Sequence, residues 1–237
     1  MMRLDRFLAS QRPDISRSSA RELCRKGLVT VNGAPAKRSD IQINEEQDTV
    51  CVSGKCIIYR KYVYIMLNKP RGVICATKDR LTETVMELIP PELRRDGLFP
   101  AGRLDKDTEG FVLITDDGEL AHKMLSPKSH VPKTYFVRLE KPLEPSAVSL
   151  FSEGITIDGG EKCLPAQLSI SDDPAECLLT IREGKFHQVK RMFLAIDNKV
   201  LYLKRISIGK LALDENLPLG GCLEVLHKDV DKLLSRE

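Results

Sequence analysis

AGRLDKDTEGFVLITDDG, residues 101–118, is the stretch from which the fold of this chain is read. Residues 111–115 form an apolar, β-rich run bracketed by Gly110 and by the turn-forming pair Asp117-Gly118, the pattern of a strand entered from a charged loop. If Gly102-Arg103-Leu104-Asp105 is extended, positions two apart share a face. Arg103 and Asp105 then point the same way while Leu104 points into the core. A carboxylate beside a permanent cation favours its ionised form, which suits a nucleophile or an electrostatic stabiliser better than a general acid. The same spacing also fits a structural ion pair, and the residues alone leave both readings open. Asp107 and Asp116 have turn or loop hydrogen bonding open to them, and Asp117 an N-cap for a helix over 119–125.

Outward from this stretch, strands are expected at 62–67, 135–139, 177–181 and 201–208, separated by short helices and turns. The regular alternation of a doubly wound sheet is missing, so the class is α+β with a mixed, largely antiparallel sheet. Asn68-Lys69-Pro70-Arg71-Gly72 is a loop where proline and glycine break the ladder. Tyr135 shares a strand face with Val137 and Leu139, which fits a core tyrosine; its ring also suits stacking against a base, and its hydroxyl proton transfer. In residues 182–193, REGKFHQVKRMF, Val189, Met192 and Phe193, followed by Ile196, mark the buried face of a helix. His187, Lys190 and Arg191 fall together on the other side near its start. That set suits phosphate, a catalytic carboxylate, or only solvent.

The N-terminus is the basic end. Residues 1–44 carry nine Lys or Arg and four Asp or Glu, so this segment is +5 in a chain of net charge +3. Leu4, Phe7 and Leu8 follow helical spacing, Pro13 interrupts, and residues 16–26 read as a second helix closed by Gly27. On it Arg17, Arg21 and Arg25 recur every four residues as a cationic stripe opposite Ala20, Leu23 and Cys24. Residues 28–31 alternate into the tight-turn pair Asn32-Gly33, with Lys37 and Arg38 soon after. A basic helix followed by a short hairpin suits a phosphate backbone, as it also suits a solvated charged face. The segment MRLDRFLASQRPDISRSSARELCRKGLVTVNGAPAKRSD resembles the S4 domain, a small RNA-binding module, through its RLDxxL opening and its SRSxAxxLxxxGxVxVNG progression. Residues 44–60 look like a connection containing one short strand. The expected organisation is an S4-like domain with linker at 1–60 and a second domain at 61–237.

The length of 237 residues allows one or two domains with a real core, and 42% hydrophobic with 30% charged residues excludes a disordered or collagenous chain. No apolar run approaches the ~18 residues of a membrane helix. The start has neither a long apolar core nor a small-residue cleavage site, so a cytoplasmic protein is expected. Seven cysteines without a CxxC pair argue against a disulfide framework and a structural zinc site, and four scattered histidines add no metal cluster. P-loop and GxGxxG motifs are missing, which points away from kinases and redox enzymes.

The order LNKPRG, GRLDKDTEGFVLITDDG, KTY, EGKFHQVKRMF resembles, over essentially the whole chain, the pseudouridine synthases of the RsuA group, which commonly carry an N-terminal S4 domain. Within the group, FHQVKRMF resembles the form found in enzymes of the small ribosomal subunit, whose target is uridine 516 of 16S rRNA; 23S rRNA is the alternative target. The resemblance implies Asp105 as the nucleophile that forms a covalent intermediate, and Arg103 as the arginine that helps extrude the nucleotide. It implies Tyr135 as the tyrosine that stacks on the base, with Leu179 and Ile181 lining the pocket. Lys190 stands where many related synthases carry an arginine that pairs with the aspartate, keeping the cation but not the planar fork. Lys69, Arg71, His187 and Arg191 join Arg17, Arg21, Arg25, Lys37 and Arg38 as candidate RNA contacts, and Asn68 as a support of the site. The implied reaction needs no metal, nucleotide or redox cofactor. The implied partner is ribosomal RNA or a small-subunit assembly intermediate, and no sign of an obligate oligomer argues against a monomer. A non-catalytic RNA-binding or ribosome-assembly protein would dispense with Asp105, and a glycosidase would need a second carboxylate across from it.

Overall fold

The computed structural model describes residues 1–126 and 128–235. The chain divides into two compact units, Met1–Val63 with Ile89–Leu98 and Tyr64–Leu88 with Phe99–Glu237. A division at residue 60 does not anticipate that the second excursion, 89–98, packs with the N-terminal unit. Its anchor is Arg95, whose Nη1 donates to the Arg60 carbonyl at 3.0 Å and whose Nη2 donates to that of Lys61 at 3.4 Å.

In the first unit, helices α1 (Leu4–Gln11) and α2 (Arg17–Arg25) pack through Leu4, Phe7, Leu8, Ala20 and Cys24. The Ser16 hydroxyl caps α2 by accepting from the Ser19 N–H at 3.1 Å. Val29, Val50 and Val52 complete this core from a sheet of strands Ala34–Pro35, Val29–Val31, Val50–Val52 and Lys55–Ile57, in that order. Asn32 and Gly33 both have positive φ, 51° and 80°, which gives the hairpin its tight turn. Cys51 and Cys56 face each other on neighbouring strands and are joined by a disulfide. Cysteine spacing argued against a disulfide framework; this single local pair is created by strand register, which the absence of CxxC does not report.

The second unit is built on a nine-stranded sheet. Its strands are β1 (Tyr64–Lys69), β2 (Phe99–Ala101), β3 (Glu109–Thr115), β4 (Lys133–Leu139), β5 (Gln167–Ile170), β6 (Glu176–Ile181), β7 (Val200–Ile208), β8 (Leu211–Ala212) and β9 (Cys222–Glu224). The order is β5-β6-β4-β7-β3-β1-β9, with β8 on β7 and β2 on β3. Only β7 and β3 pair in parallel, through Lys204 with Glu109 and Arg205 with Gly110. This is the expected mixed, largely antiparallel sheet of an α+β protein. Strand β3 is buried along its whole length, so its run of apolar residues lies in the core on both faces. At the parallel crossing a Cβ on Gly110 would overlap the Arg205 carbonyl, and the φ of 102° there also requires glycine. Helix α3 (Gly118–Leu125) begins at Asp117, whose Oδ1 accepts from the Leu120 N–H at 3.0 Å and whose Oδ2 accepts from the Tyr64 hydroxyl at 2.8 Å. Helices α4 (Ser146–Glu153), α5 (Gln188–Leu194) and α6 (His227–Val230) and a separate two-stranded pair, Thr156–Ile157 with Glu161–Lys162, belong to the same unit. No helix among the described residues is long and apolar enough to cross a membrane.

Candidate active site

The loop from Gly102 to Thr108 joins β2 to β3 and carries Arg103, Asp105 and Asp107. It is held from below by Lys69, the last residue of β1, which is wholly buried. The Lys69 ammonium donates to the carbonyls of Thr108 at 2.8 Å, Pro70 at 3.0 Å and Lys106 at 3.3 Å. The Gly72 N–H also donates to the Lys106 carbonyl at 2.8 Å. Burial pulls the Lys69 amine below its ordinary range, and the charges of Cys75, Asp107, Asp105 and Glu109 act against that. Lys69 is therefore a staple of the Asp105 loop rather than the RNA contact expected of a lysine in a polar loop, because its ammonium has no path to a phosphate.

Opposite this loop stands α5, entered through His187, whose φ of 47° is left-handed. Val189, Met192 and Phe193 bury one face of the helix as the periodicity predicts. Its polar start meets the loop: Lys190 Nζ lies 3.2 Å from Asp105 Oδ2, and His187 Nε2 lies 3.6 Å from Asp105 Oδ1. Lys190 Nζ also donates to Asp107 Oδ1 at 2.5 Å. Burial raises the Asp107 carboxyl, and the Lys190 hydrogen bond and charge outweigh it and leave the group below its ordinary value. Arg103 is exposed and, among the described residues, forms no ion pair with Asp105. Extended spacing pointed to Arg103 as the cation beside Asp105; the cation is Lys190, brought from 85 residues further along the chain by the fold.

Between loop and helix lies a small cleft of about 90 Å³. Arg103, Asp105, Tyr135, His187 and Lys190 line it, with Leu104, Ile181 and Leu203 as its apolar wall. Tyr135 is both buried and at the cleft, so its core position and its site position are one and the same. Leu179, expected in the wall, is fully buried and not part of the lining. Ile181 directly precedes the loop that roofs the cleft, whereas Leu179 lies two residues, about 7 Å, further along the strand; Leu203 takes the place expected of it.

Arg191 also departs from expectation as an RNA contact. Its Nε binds Asp158 Oδ1 at 2.5 Å, and its other nitrogens donate to the carbonyls of Phe186 at 3.1 Å and Asp158 at 3.0 Å. Arg71 is half-exposed, 3.5 Å from Glu109 and over the ring of Tyr202. Asn68 is buried, and its amide donates to the Leu217 carbonyl at 2.7 Å. In the N-terminal unit, Arg17, Arg21 and Arg25 are exposed and, among the described residues, without an ion pair; Lys37 is exposed too. Arg38 is held by both oxygens of Asp40, at 2.9 and 2.6 Å. Arg3 and Arg6 join Arg17 and Arg21 around one concave polar surface, which helical spacing within α2 alone does not reveal.

Gln188 and Lys185 are site residues that the sequence reading passed over, and Asp107, read as a turn or loop residue, binds Lys190. The buried Gln188 accepts from the Lys185 N–H at 2.9 Å and donates to Glu183 at 2.7 Å, which fixes the roof loop. A glutamine inside a helical pattern carries no signal of such a role. Among the described residues no three His, Cys, Asp or Glu side chains gather into a metal-binding set.

Known proteins share this arrangement of segments. The family model described as RNA pseudouridylate synthase matches residues 63–195, and the S4 domain model matches residues 2–50. An uncharacterized RNA pseudouridine synthase of Bacillus subtilis, YtzG, is 44% identical over 98% of both chains. The ribosomal small subunit pseudouridine synthase A of Haemophilus influenzae is 40% identical over 98% of this chain and 100% of its own. That of Vibrio cholerae is 43% identical over 92% and 94%. A crystal structure of a pseudouridylate synthase, 39% identical, superposes with a TM-score of 0.68 over 98% of this chain and 100% of its own. With a family model over more than half its length and relatives above 40% identity over nearly all of it, the chain belongs to the RNA pseudouridylate synthases and carries an N-terminal S4 domain.

Proposed function

We propose that this enzyme converts one uridine of small-subunit ribosomal RNA, uridine 516 of 16S rRNA, to pseudouridine, with Asp105 as the nucleophile. The observation that carries the chemistry is the convergence of Asp105, Lys190 and Tyr135 on one cleft from three separate parts of the chain. The small-subunit synthases that match nearly the full chain support a small-subunit target, and position 516 is the one implied by the resemblance of FHQVKRMF.

The reaction is an isomerisation: N1–C1′ breaks, C5–C1′ forms, C5 loses a proton and N1 gains one. Asp105 supplies the covalent hold on the nucleotide while the base turns, and is released when the new carbon–carbon bond closes. Lys190 holds the carboxylate in place, and its second bond to Asp107 fixes the ammonium itself. Tyr135 offers a ring for stacking under the uracil and a hydroxyl near the C5 proton. Leu104, Ile181 and Leu203 keep water from the detached base. Arg103, exposed at the rim, is positioned to meet the RNA where the nucleotide leaves the stack.

Pseudouridine mapping of ribosomal RNA from cells with and without the gene tests this reading. The expected result is loss of one site, position 516 of 16S rRNA, restored by the parent chain and not by Asp105→Asn. A missing site in 23S rRNA overturns the target, and no missing site overturns the assignment. Restoration by Asp105→Asn would overturn Asp105 as the nucleophile.

A further inference from the structure

Phe186 is the only tyrosine or phenylalanine among the described residues that is exposed, at 74%, and it stands at the mouth of the cleft. Both chain neighbours, Lys185 and His187, line that cleft. A large aromatic ring left in water forgoes its burial, so its position calls for a reason other than folding. One face of the ring lies on the imidazole of His187, with centroids 3.8 Å apart and planes 19° from parallel. His187 in turn faces Asp105. The rings thus form a two-layer stack running outward from the catalytic carboxylate, with the outer layer open to solvent.

The backbone presenting this stack is fixed on both sides. The Phe186 carbonyl accepts from Arg191 at 3.1 Å, and the Lys185 N–H donates to the buried Gln188 side chain at 2.9 Å. Arg191 is itself bound to Asp158. The left-handed φ of 47° at His187, uncommon for a residue with a side chain, places the two rings one over the other. A ring held in advance loses little freedom when a planar partner arrives.

We propose that Phe186 stacks on an unpaired RNA base flanking the target uridine. This deepens the proposed function and rests on it. Turning a uridine out of a strand deprives its neighbours of a stacking partner, and an aromatic face beside the cleft restores one. The contact tolerates any base, because every base has a π-face; it therefore selects for an unpaired neighbour rather than for a sequence.

The test uses the full chain and the RNA fragment that the active enzyme modifies, with 2-aminopurine placed in turn at the nucleotide on each side of the target. In the Asp105→Asn background, where RNA is bound without turnover, the fluorescence at one flanking position is expected to be quenched on binding. Phe186→Leu loses that quenching and Phe186→Trp keeps it. In the active background Phe186→Leu raises KM about 5- to 150-fold, the range of one lost base–aromatic stack, and Phe186→Trp restores it. Equal quenching and equal KM in Phe186→Leu and its parent overturn the inference and leave the isomerase reading standing. Absence of pseudouridine from the unsubstituted chain overturns the proposed function instead.

Discussion

Lys190 stands between two carboxylates, Asp105 at 3.2 Å and Asp107 at 2.5 Å. Replacing it by methionine leaves both acids, side by side on one loop, without their shared cation. Turnover of Lys190→Met is expected to fall about 100-fold or more, the usual cost of removing one charged group from a preorganised site. Lys190→Arg keeps the charge and is expected to keep most of the rate, read in single-turnover pseudouridine formation. The motifs made Asp105 and Lys190 readable as candidates, and the family resemblance implied their pairing, which spacing alone did not, because the contact spans two distant segments. Lys69 went the other way: a lysine in a polar loop reads as solvent-facing, and only the fold shows its ammonium closed off by three carbonyls. Lys133 is the second buried lysine. Its Nζ donates to the Val131 carbonyl at 2.9 Å, and burial, with repulsion from Arg205, pulls its pKa down to about 8. The unfolded chain binds this proton up to its ordinary pKa near 10.5 while the folded chain releases it near 8. Stability therefore rises with pH across that window, and the full cost, about 3 kcal/mol, applies below it. Lys133→Met removes the cost, so denaturant unfolding is expected to show a gain over the parent that is largest below pH 8 and shrinks toward pH 10.5. Cys177 and Tyr202, both pushed up to about 12 chiefly by burial, titrate alike in the two proteins and cancel.

At the scale of elements, the parallel contact of β3 with β7 is the junction on which the site depends, since β3 follows directly from the Asp105 loop and β7 contributes Leu203 to the cleft. Gly110→Ala adds both a left-handed strain and an overlap with the Arg205 carbonyl, and is expected to cost about 3 kcal/mol or more in unfolding free energy. The strands themselves were readable: runs of β-branched and aromatic residues at 111–115, 135–139, 177–181 and 201–208 all fall within observed strands. Their order was not. Alternation tells which face a side chain takes, whereas partner choice depends on how faces of distant strands fit, and β3 pairs with a strand about 90 residues away. The start of α5 shows the same division. Its buried side followed from spacing at Val189, Met192 and Phe193, but the left-handed turn at His187 that aims the polar side at Asp105 has no sequence pattern of its own.

Across the whole molecule, the proposed chemistry and the proposed salt-dependent RNA affinity fall in different units, in line with the uneven charge distribution. The excess of cations in residues 1–44 lies in the unit that carries α2, while Asp105, the proposed nucleophile, and Lys190 lie in the other. What composition did not foreshadow is that residues 89–98 belong to the N-terminal unit, because they carry no feature that ties them to its core. Arg17, Arg21 and Arg25 are exposed and free of ion pairs among the described residues, so each is available to a phosphate. Every phosphate neutralised releases counterions and steepens the fall of affinity with salt by about 0.7 to 0.9 per contact. Replacing the three arginines with glutamine is expected to flatten the slope of log K against log salt by about 2 to 3, measured by RNA-binding titration over a series of salt concentrations. Asp105→Asn is expected to abolish isomerisation and leave that slope where it was, because no phosphate contact is lost with it. If the arginine variant kept the parental slope, the stripe on α2 would be a solvated face, and the salt-dependent part of recognition would have to come from cations of the catalytic unit such as Arg71 and Arg103.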